Sequence, residues 1–453
     1  MISISAKCFE TNEGWLFMII RNEEVFFIKR YNEQDSVIVY VPLRSFLAVI
    51  KKELAEAIKT DASVIADAFF EHLSQKVLID PHELHQVVTR IIPQISIPVT
   101  NNCNLRCKYC YFRAGDGDKC QSQSKEEIKC YVDAYIDRMK EYDIRNKENY
   151  IDISIAGGGE PTVEFETFKY TVEYCEKVFR EKGFNPRFSM PTNGAYGDKV
   201  RAFIAEHFSQ ISLSMDGPKF IEDKHRPFAN GSSSYQWTYE TAKYYYEHKL
   251  PFAFRATVSS FSMNYLKEIL DFFNEEFPGK TIGLEPLNLF GRAIGNSELA
   301  PPDELEYSEK LLEAYDYAYS KNIPIRTAGT GKFDQLRTVF CGAVGIPNWT
   351  ITTEGRVTSC TRDNLPEIFS FGNYDKEKKE IYIDEKKIER IRKLNIFNYP
   401  ECQDCFCKYN CAGDCPDLRV SNMLNCEATK KVATYVFNKK CDDQQYLKDN
   451  MLK

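Results

Sequence analysis

Between residues 94 and 300, apolar runs alternate with helical patterns, and this rhythm restricts the possible folds more than any other feature of the chain. Strand-like runs recur at QISIPVT (94–100), YIDISIAGGG, RFSMPTNG, QISLSMDG, FAFRATVSS and TIGLEPL. Helical patterns such as ETFKYTVEYCEKVFREKG lie between them. Strands alternating with helices imply a parallel sheet, curled or open. About six βα units fit in residues 94–300, and functional residues are then expected at the C-terminal strand ends.

The flanks differ from this core, as expected for a chain of 453 residues, too long for one hydrophobic core. Residues 1–90 hold GWLFMIIRNEEVFFIKRYNEQDSVIVYVP, which reads as three short strands with polar turns at Asn22–Glu24 and Asn32–Asp35. LRSFLAVIKKELAEAIK and ASVIADAFFEHLSQKVL then show helical spacing. Strands followed by helices make a winged-helix-like module. A formal net charge of −7 leaves no basic footprint for nucleic acid, so a peptide is the expected ligand. Residues 301–340 read as a bridge, with a helix after Pro302. Residues 341–453 are loop-rich and hold the densest run of cysteines. The start, MISISAKCFE, has neither a basic n-region nor an apolar h-region. No stretch reaches the ~20 apolar residues of a membrane helix. A cytoplasmic protein with no membrane partner is expected.

Sixteen cysteines in such a compartment argue for metal rather than disulfides. Cys103, Cys107 and Cys110 are spaced C-x3-C-x2-C in CNLRCKYCY, directly after the first strand of the βα region. A structural zinc wants four ligands, and this loop offers three. An iron–sulfur cluster held by three thiolates leaves one iron open, as a cluster that binds substrate requires. Cys8, Cys120, Cys130, Cys175, Cys407 and Cys441 fall outside any spacing and read as buried small hydrophobes or incidental thiols.

On these residues the sequence resembles the radical S-adenosylmethionine (SAM) superfamily. The resemblance implies a partial (β/α)6 TIM-like barrel over residues 91–300. It implies that SAM supplies the fourth ligand of a 4Fe–4S cluster on Cys103, Cys107 and Cys110, with Tyr109 near the adenine. AGGGEP, closing the second strand, matches the family's motif for the SAM amino group, carried here to Gly158, Gly159, Glu160 and Pro161. Asn193, Ser214 and Asp216 end the third and fourth strands, where Asn-Gly and Asp-Gly also make ordinary turns. The resemblance puts the strand-four serine on the SAM ribose. Arg255 interrupts an apolar strand and is a candidate for the SAM carboxylate or for a core salt bridge, and Glu285 is a similar barrel-lining charge.

The C-terminal cysteines resemble a SPASM domain, spanning residues 341–453. Cys402, Cys405, Cys411 and Cys426 would hold one auxiliary 4Fe–4S cluster, and Cys341, Cys360 and Cys415 a second. Three clusters in all are implied, together with SAM. The second auxiliary set lacks a fourth cysteine, which leaves an open iron for a substrate thiolate unless Cys441 or Cys407 completes it. The resemblance implies reductive cleavage of SAM to a 5′-deoxyadenosyl radical that takes hydrogen from a substrate carbon, with electrons from a reductant such as flavodoxin or ferredoxin. With the N-terminal module binding a leader segment, the expected substrate is a ribosomally made precursor peptide, and the expected product a Cys-to-carbon thioether of the sactipeptide or ranthipeptide type. Carbon–carbon or carbon–oxygen crosslinking, anaerobic sulfatase maturation to formylglycine, and a non-catalytic electron carrier or peptide scaffold are the alternatives.

Overall fold

The computed structural model describes residues 9–10, 15–31, 33–61, 64–88, 94–117, 120–139, 149–327, 335–345, 347–362, 365–421, 423–424 and 426–442; Cys8 lies outside them. The chain forms two compact units. One comprises residues 90–328 and 341–393, and the other residues 1–89, 329–340 and 394–453.

The first unit is built on a sheet whose parallel strands are β6 (Ile95–Ser96), β7 (Tyr150–Ser154), β8 (Asn185–Thr192), β9 (Phe208–Ser214), β10 (Phe252–Val258), β11 (Ile282–Pro286) and β12 (Ile325–Thr327). They neighbour one another in sequence order, and helices connect them, so the alternating pattern of the sequence is realised strand by strand. The crossover helix Phe165–Glu181 shows why: Phe168, Val172, Cys175 and Phe179 recur at helical spacing and are all buried. Asp303 caps the helix Glu304–Lys321 by accepting from Leu305 N (3.1 Å) and Glu306 N (3.0 Å). That helix feeds β12, which pairs with β11 and extends the parallel array. At the other edge β13 (Trp349–Ile351) pairs in parallel with β6, and β14 (Arg356–Thr358), β15 (Ser370–Asp375) and β16 (Glu380–Ile383) continue as an antiparallel meander. The barrel is therefore open. Along β10, Phe252, Phe254, Ala256 and Val258 are buried, while Ala253, Arg255 and Thr257 on the opposite face are half-buried. No described helix is long and apolar enough to cross a membrane.

The second unit is organised by an antiparallel sheet in the order β1 (Phe9–Glu10), β2 (Trp15–Ile20), β3 (Glu23–Lys29), β4 (Ser36–Val41), β5 (Phe46–Lys51). β2, β3 and β4 are the three strands expected from the sequence. Residues 46–51, read there as the start of a helix, are instead strand β5. FLAVIK is an unbroken apolar run, which periodicity cannot assign. Ser45 turns the chain in the left-handed region (φ 49°), and β4 then supplies a partner along the whole run, from Val41 opposite Phe46 to Ser36 opposite Lys51. The helix begins only at Lys52.

Both faces of this sheet are covered, which explains the near-continuous apolar run in β3. Met18, Val25, Phe27, Val39 and Val41 pack on Ala55, Ile58, Phe70 and Leu73 of the two following helices. Side chains of opposite parity, Trp15, Phe17, Phe26, Ile28, Ile38 and Tyr40, pack on Phe406, Cys407, Ala433 and Phe437. Ring centroids lie 5.3 Å apart for Trp15 and Phe406 and 4.7 Å for Tyr40 and Phe437. The Tyr40 hydroxyl donates to Asn410 Oδ1 at 2.9 Å, and buried Lys408 donates to Glu24 Oε1 at 2.6 Å. The N-terminal sheet and the cysteine-bearing 402–437 segment thus share one core. Phe437→Ala is expected to cost about 3–5 kcal/mol, read as a lowered urea midpoint, whereas Val64→Ala at an 82% exposed position is expected to stay within about 0.5 kcal/mol.

Candidate active site

Cys103, Cys107 and Cys110 lie in the loop that leaves β6, at the C-terminal end of the parallel strands. Short-range turns alone do not hold this loop; other segments grip its backbone. After β7, Gly159 N donates to Thr100 O (2.8 Å) and Glu160 N to Asn102 O (2.9 Å). A Cβ on Gly159 would stand 1.8 Å from Asn102 O, and Gly158 has φ +89° with Thr100 O 2.9 Å from its Cβ position. The glycines are therefore required by close backbone approach. After β9, residues 225–229 run antiparallel to the loop. Lys108 N donates to His225 O (2.9 Å), Arg106 N to Pro227 O (2.7 Å) and Ala229 N to Asn104 O (3.0 Å).

After β11, Arg292 N donates to Cys110 O (2.8 Å), while its guanidinium donates to Cys107 O (2.7 Å), Ala114 O (2.9 Å) and Asp116 Oδ1 (2.7 Å). Gly291 has φ +52°, and its Cβ position lies 2.4 Å from Cys110 O. Arg106 donates to Cys103 O at 2.7 Å and also reaches Gly115 O. Neither Gly291, Arg292 nor the 225–229 segment was singled out in the sequence. The Gly-Arg pair directly after the sixth strand was the one available signal.

The thiols sit in a donor-rich setting. Cys103 Sγ accepts from Leu105 N (3.4 Å) and Asn193 Nδ2 (3.6 Å). Burial pushes Cys103 up to about 11 and raises Cys107 as well, with Arg226 opposing both shifts.

The expected site residues divide into two groups. Glu160 is 3% exposed, and its carboxylate accepts from Thr162 Oγ1 (2.8 Å), Thr192 Oγ1 (3.1 Å) and Asn193 N (2.8 Å). Pro161 is buried beside it. Asn193 passes the bracing on to Asn104 Oδ1 at 2.8 Å. Tyr109 packs against Leu287, Ala293 and Leu299; its hydroxyl donates to Asp216 Oδ2 (2.8 Å) and accepts from Arg226 Nη1 (2.8 Å). Asp216 is fully buried and also accepts from Thr257 N (2.8 Å) and meets His225 Nδ1 at 2.9 Å. Burial opposes its ionisation, but His225 and Arg226 hold its pKa below the ordinary value. These side chains brace the site from inside.

The other group remains available to a ligand. The carbonyls of Gly157, Gly158 and Gly159 and the half-buried Ser214 hydroxyl have no hydrogen-bond partner among the described residues. Arg255 pairs with Glu285 across β10 and β11 (Nε to Oε2 2.6 Å) and remains partly exposed on the half-buried face. Arg362 lies 5.9 Å from the Tyr111 and Phe290 rings.

In the other unit, Cys402, Cys405, Cys411 and Cys426 are close neighbours. Burial raises the Cys411 pKa, and Asp414, Cys405, Cys402 and Cys426 add to the effect. Arg419 donates to Cys402 Sγ at 3.5 Å and stacks on Tyr399 at 4.0 Å. Cys407 is buried, its Sγ 3.5 Å from that of Cys405, so it adjoins this group. Cys441 is at the far end of the helix Cys426–Asp442, about 22 Å along it from Cys426. Cys415 belongs to this unit, Cys341 and Cys360 to the other. Cys175 is core, and Cys120 is exposed. Among the described residues no three His, Cys, Asp or Glu side chains converge to hold a single metal ion.

The donor set fits a cluster-bound SAM: three thiols in one loop, one of them with N–H donors, unspent carbonyls that could accept from an ammonium, and a free hydroxyl at a strand end. Residues 97–273 match the model of the Radical SAM superfamily. A cysteine-type anaerobic sulfatase-maturating enzyme from Clostridium perfringens is 24% identical over 374 residues, covering 76% of this chain and 97% of that protein. The radical SAM cyclopropyl synthase TigE from Paramaledivibacter caminithermalis is 24% identical over 314 residues, covering 64% of this chain and 63% of that protein. The solved structure of native anSMEcpe with bound AdoMet and Cp18Cys peptide superposes with a TM-score of 0.57 at 17% identity, over 78% of this chain and 98% of that chain, which shows a shared fold. The family implies a 4Fe–4S cluster and SAM. Gly159→Ala is accordingly expected to lose iron and sulfide after anaerobic reconstitution, while Gly197→Ala, whose Cβ would meet nothing within 4 Å, keeps them; equal loading would contradict the backbone clamp. Taken with the geometry of the three-cysteine loop, these findings mark the chain as an enzyme with the radical SAM fold, similar over residues 97–273 to the Radical SAM superfamily.

Proposed function

We propose that the protein modifies a ribosomally synthesised precursor peptide, joining a cysteine sulfur to a substrate carbon as a thioether. The observation that carries this reading is the N-terminal antiparallel sheet. It ends on β5, along which every residue is at least partly exposed and Val49 is 39% exposed. An edge of this kind suits the addition of a leader peptide as a further strand. Similarity to an enzyme that matures sulfatases, and to the fold of one solved with a Cp18Cys peptide, supports a peptide substrate presented at the open end of the barrel. Of the nine C-terminal cysteines, seven remain once Cys407 and Cys441 are set aside, and their division into four plus three supports a second auxiliary cluster with an iron left for a substrate thiolate.

When bound, the cluster and SAM supply a radical able to take hydrogen from an unactivated carbon. The chain's own residues do the rest. Cys103, Cys107 and Cys110 would ligate the cluster; the carbonyls of Gly157–Gly159 and Ser214 would hold SAM. Arg255, Thr257 and Glu285 offer polar contacts on the half-buried face of β10 and β11, and Tyr111, Phe290 and Arg362 offer aromatic and cationic ones. In thioether formation the substrate loses a hydrogen atom from carbon, a proton from sulfur and one electron, so an acceptor is required. Cys402, Cys405, Cys411 and Cys426, and Cys341, Cys360 and Cys415, would hold auxiliary clusters able to supply that acceptor, with flavodoxin or ferredoxin as the external reductant.

A second reading, oxidation of a substrate cysteine to formylglycine, is favoured by the match over 97% of the sulfatase-maturating relative. Co-expression with a short cysteine-containing peptide encoded beside this gene, followed by mass spectrometry, separates the two. The thioether reading expects loss of two hydrogens per site with the thiol closed to alkylation. Loss of two hydrogens with thiols still reactive means a carbon–carbon or carbon–oxygen bond. An unchanged peptide, together with modification of a sulfatase peptide, means formylglycine formation and sinks the leader-peptide reading.

A further inference from the structure

Beside the three-cysteine loop lies a buried charged group. Tyr109 stands between two ligand cysteines, and its hydroxyl bridges Arg226 Nη1 and Asp216 Oδ2, each at 2.8 Å. Arg226 is 4% exposed and Asp216 0%. Arg226 is also held by Glu222, whose Oε1 accepts from its Nε at 2.8 Å, and Glu222 Oε2 accepts from Asp216 N at 2.7 Å. The backbone on either side of Arg226, through the carbonyls of His225 and Pro227, accepts from Lys108 N and Arg106 N of the same loop.

We propose that Arg226 and Asp216 are positioning residues that set the reduction potential of the cluster on Cys103, Cys107 and Cys110, acting in opposite directions through the shared Tyr109 hydroxyl and through their fields. The potential of such a cluster depends on nearby charge, hydrogen bonding and solvent exposure. Adding an electron makes the cluster more negative, so a buried cation favours the reduced form and a buried anion disfavours it. Low solvent access keeps both fields from being screened. The inference rests on the family's cluster and SAM site and is independent of the peptide or bond formed.

The test uses the full chain, reconstituted anaerobically with iron and sulfide. EPR-monitored redox titration follows the signal that added SAM perturbs, in Arg226→Gln and Asp216→Asn. Arg226→Gln is expected to move the potential to more negative values and Asp216→Asn to less negative ones. Shifts of the same sign, or no shift in either loaded variant, would overturn the proposal. If Arg226→Gln fails to retain iron, Arg226→Lys decides. Recovery of iron and of a potential near that of the unsubstituted enzyme supports a role for the charge. Loss of iron in a folded Arg226→Lys, judged by its far-UV circular dichroism, assigns Arg226 to packing alone and overturns the proposal.

Discussion

The site depends on backbone hydrogen bonds between the cysteine loop and three segments that follow different strands of the sheet. The carbonyls of Thr100, Asn102, Cys107 and Cys110 and the amides of Arg106 and Lys108 are all satisfied by partners after β7, β9 or β11. Buried peptide groups need such partners. Here the requirement converts a loop into a fixed ligand frame. It also makes glycine obligatory at two contact points, Gly159 and Gly291, where any Cβ would enter a carbonyl oxygen. The three thiols are thereby tied to the register of the whole parallel array.

Polar side chains extend the frame inward. Glu160 links Thr162, Thr192 and Asn193; Asp216 links Tyr109, His225 and Thr257. Burying ions costs several kcal/mol each unless they are paired and hydrogen-bonded; Asp216 has His225 and Arg226 beside it, whereas Glu160 is met by hydrogen bonds alone and burial raises its pKa. Their partners come from different βα units, so these networks hold strand ends together. His225 continues the chain to Ser259 Oγ at 3.0 Å, but Asp216, His225 and Ser259 are all buried. The arrangement is a brace, with no access for a substrate.

Much of this was legible in the sequence. Apolar runs bounded by turn residues gave all six strands from β6 to β11, and the C-x3-C-x2-C spacing picked out the cysteines that the fold sets in one loop after β6. Tyr109, Glu160 and Asp216 were expected to face a ligand and instead turn into buried hydrogen-bond networks, because a motif does not say which side of a loop its side chains face. Arg226 acts through the Tyr109 hydroxyl and Arg292 through the carbonyls of Cys107 and Ala114, residues more than a hundred positions away, for which no periodicity exists. Strand β5 was misread because an unbroken apolar run suits strand and helix equally until a partner strand is known. The second face of the N-terminal sheet was likewise hidden: Trp15 and Phe26 announce burial, but nothing near them names Phe406 and Phe437 as the cover. Contacts of such sequence separation belong to the fold as a whole.

The central claim is that the three thiols of the β6 loop, and no others, confer SAM cleavage. The most direct measurement is methionine and 5′-deoxyadenosine release from SAM under a strong reductant, comparing the reconstituted protein with a Cys103→Ala, Cys107→Ala, Cys110→Ala variant whose remaining cysteines are intact. The account predicts cleavage by the first and none by the second, with the variant still binding iron at its other cysteines. Cleavage that survives the triple substitution, or is absent from the loaded unsubstituted protein, would contradict it.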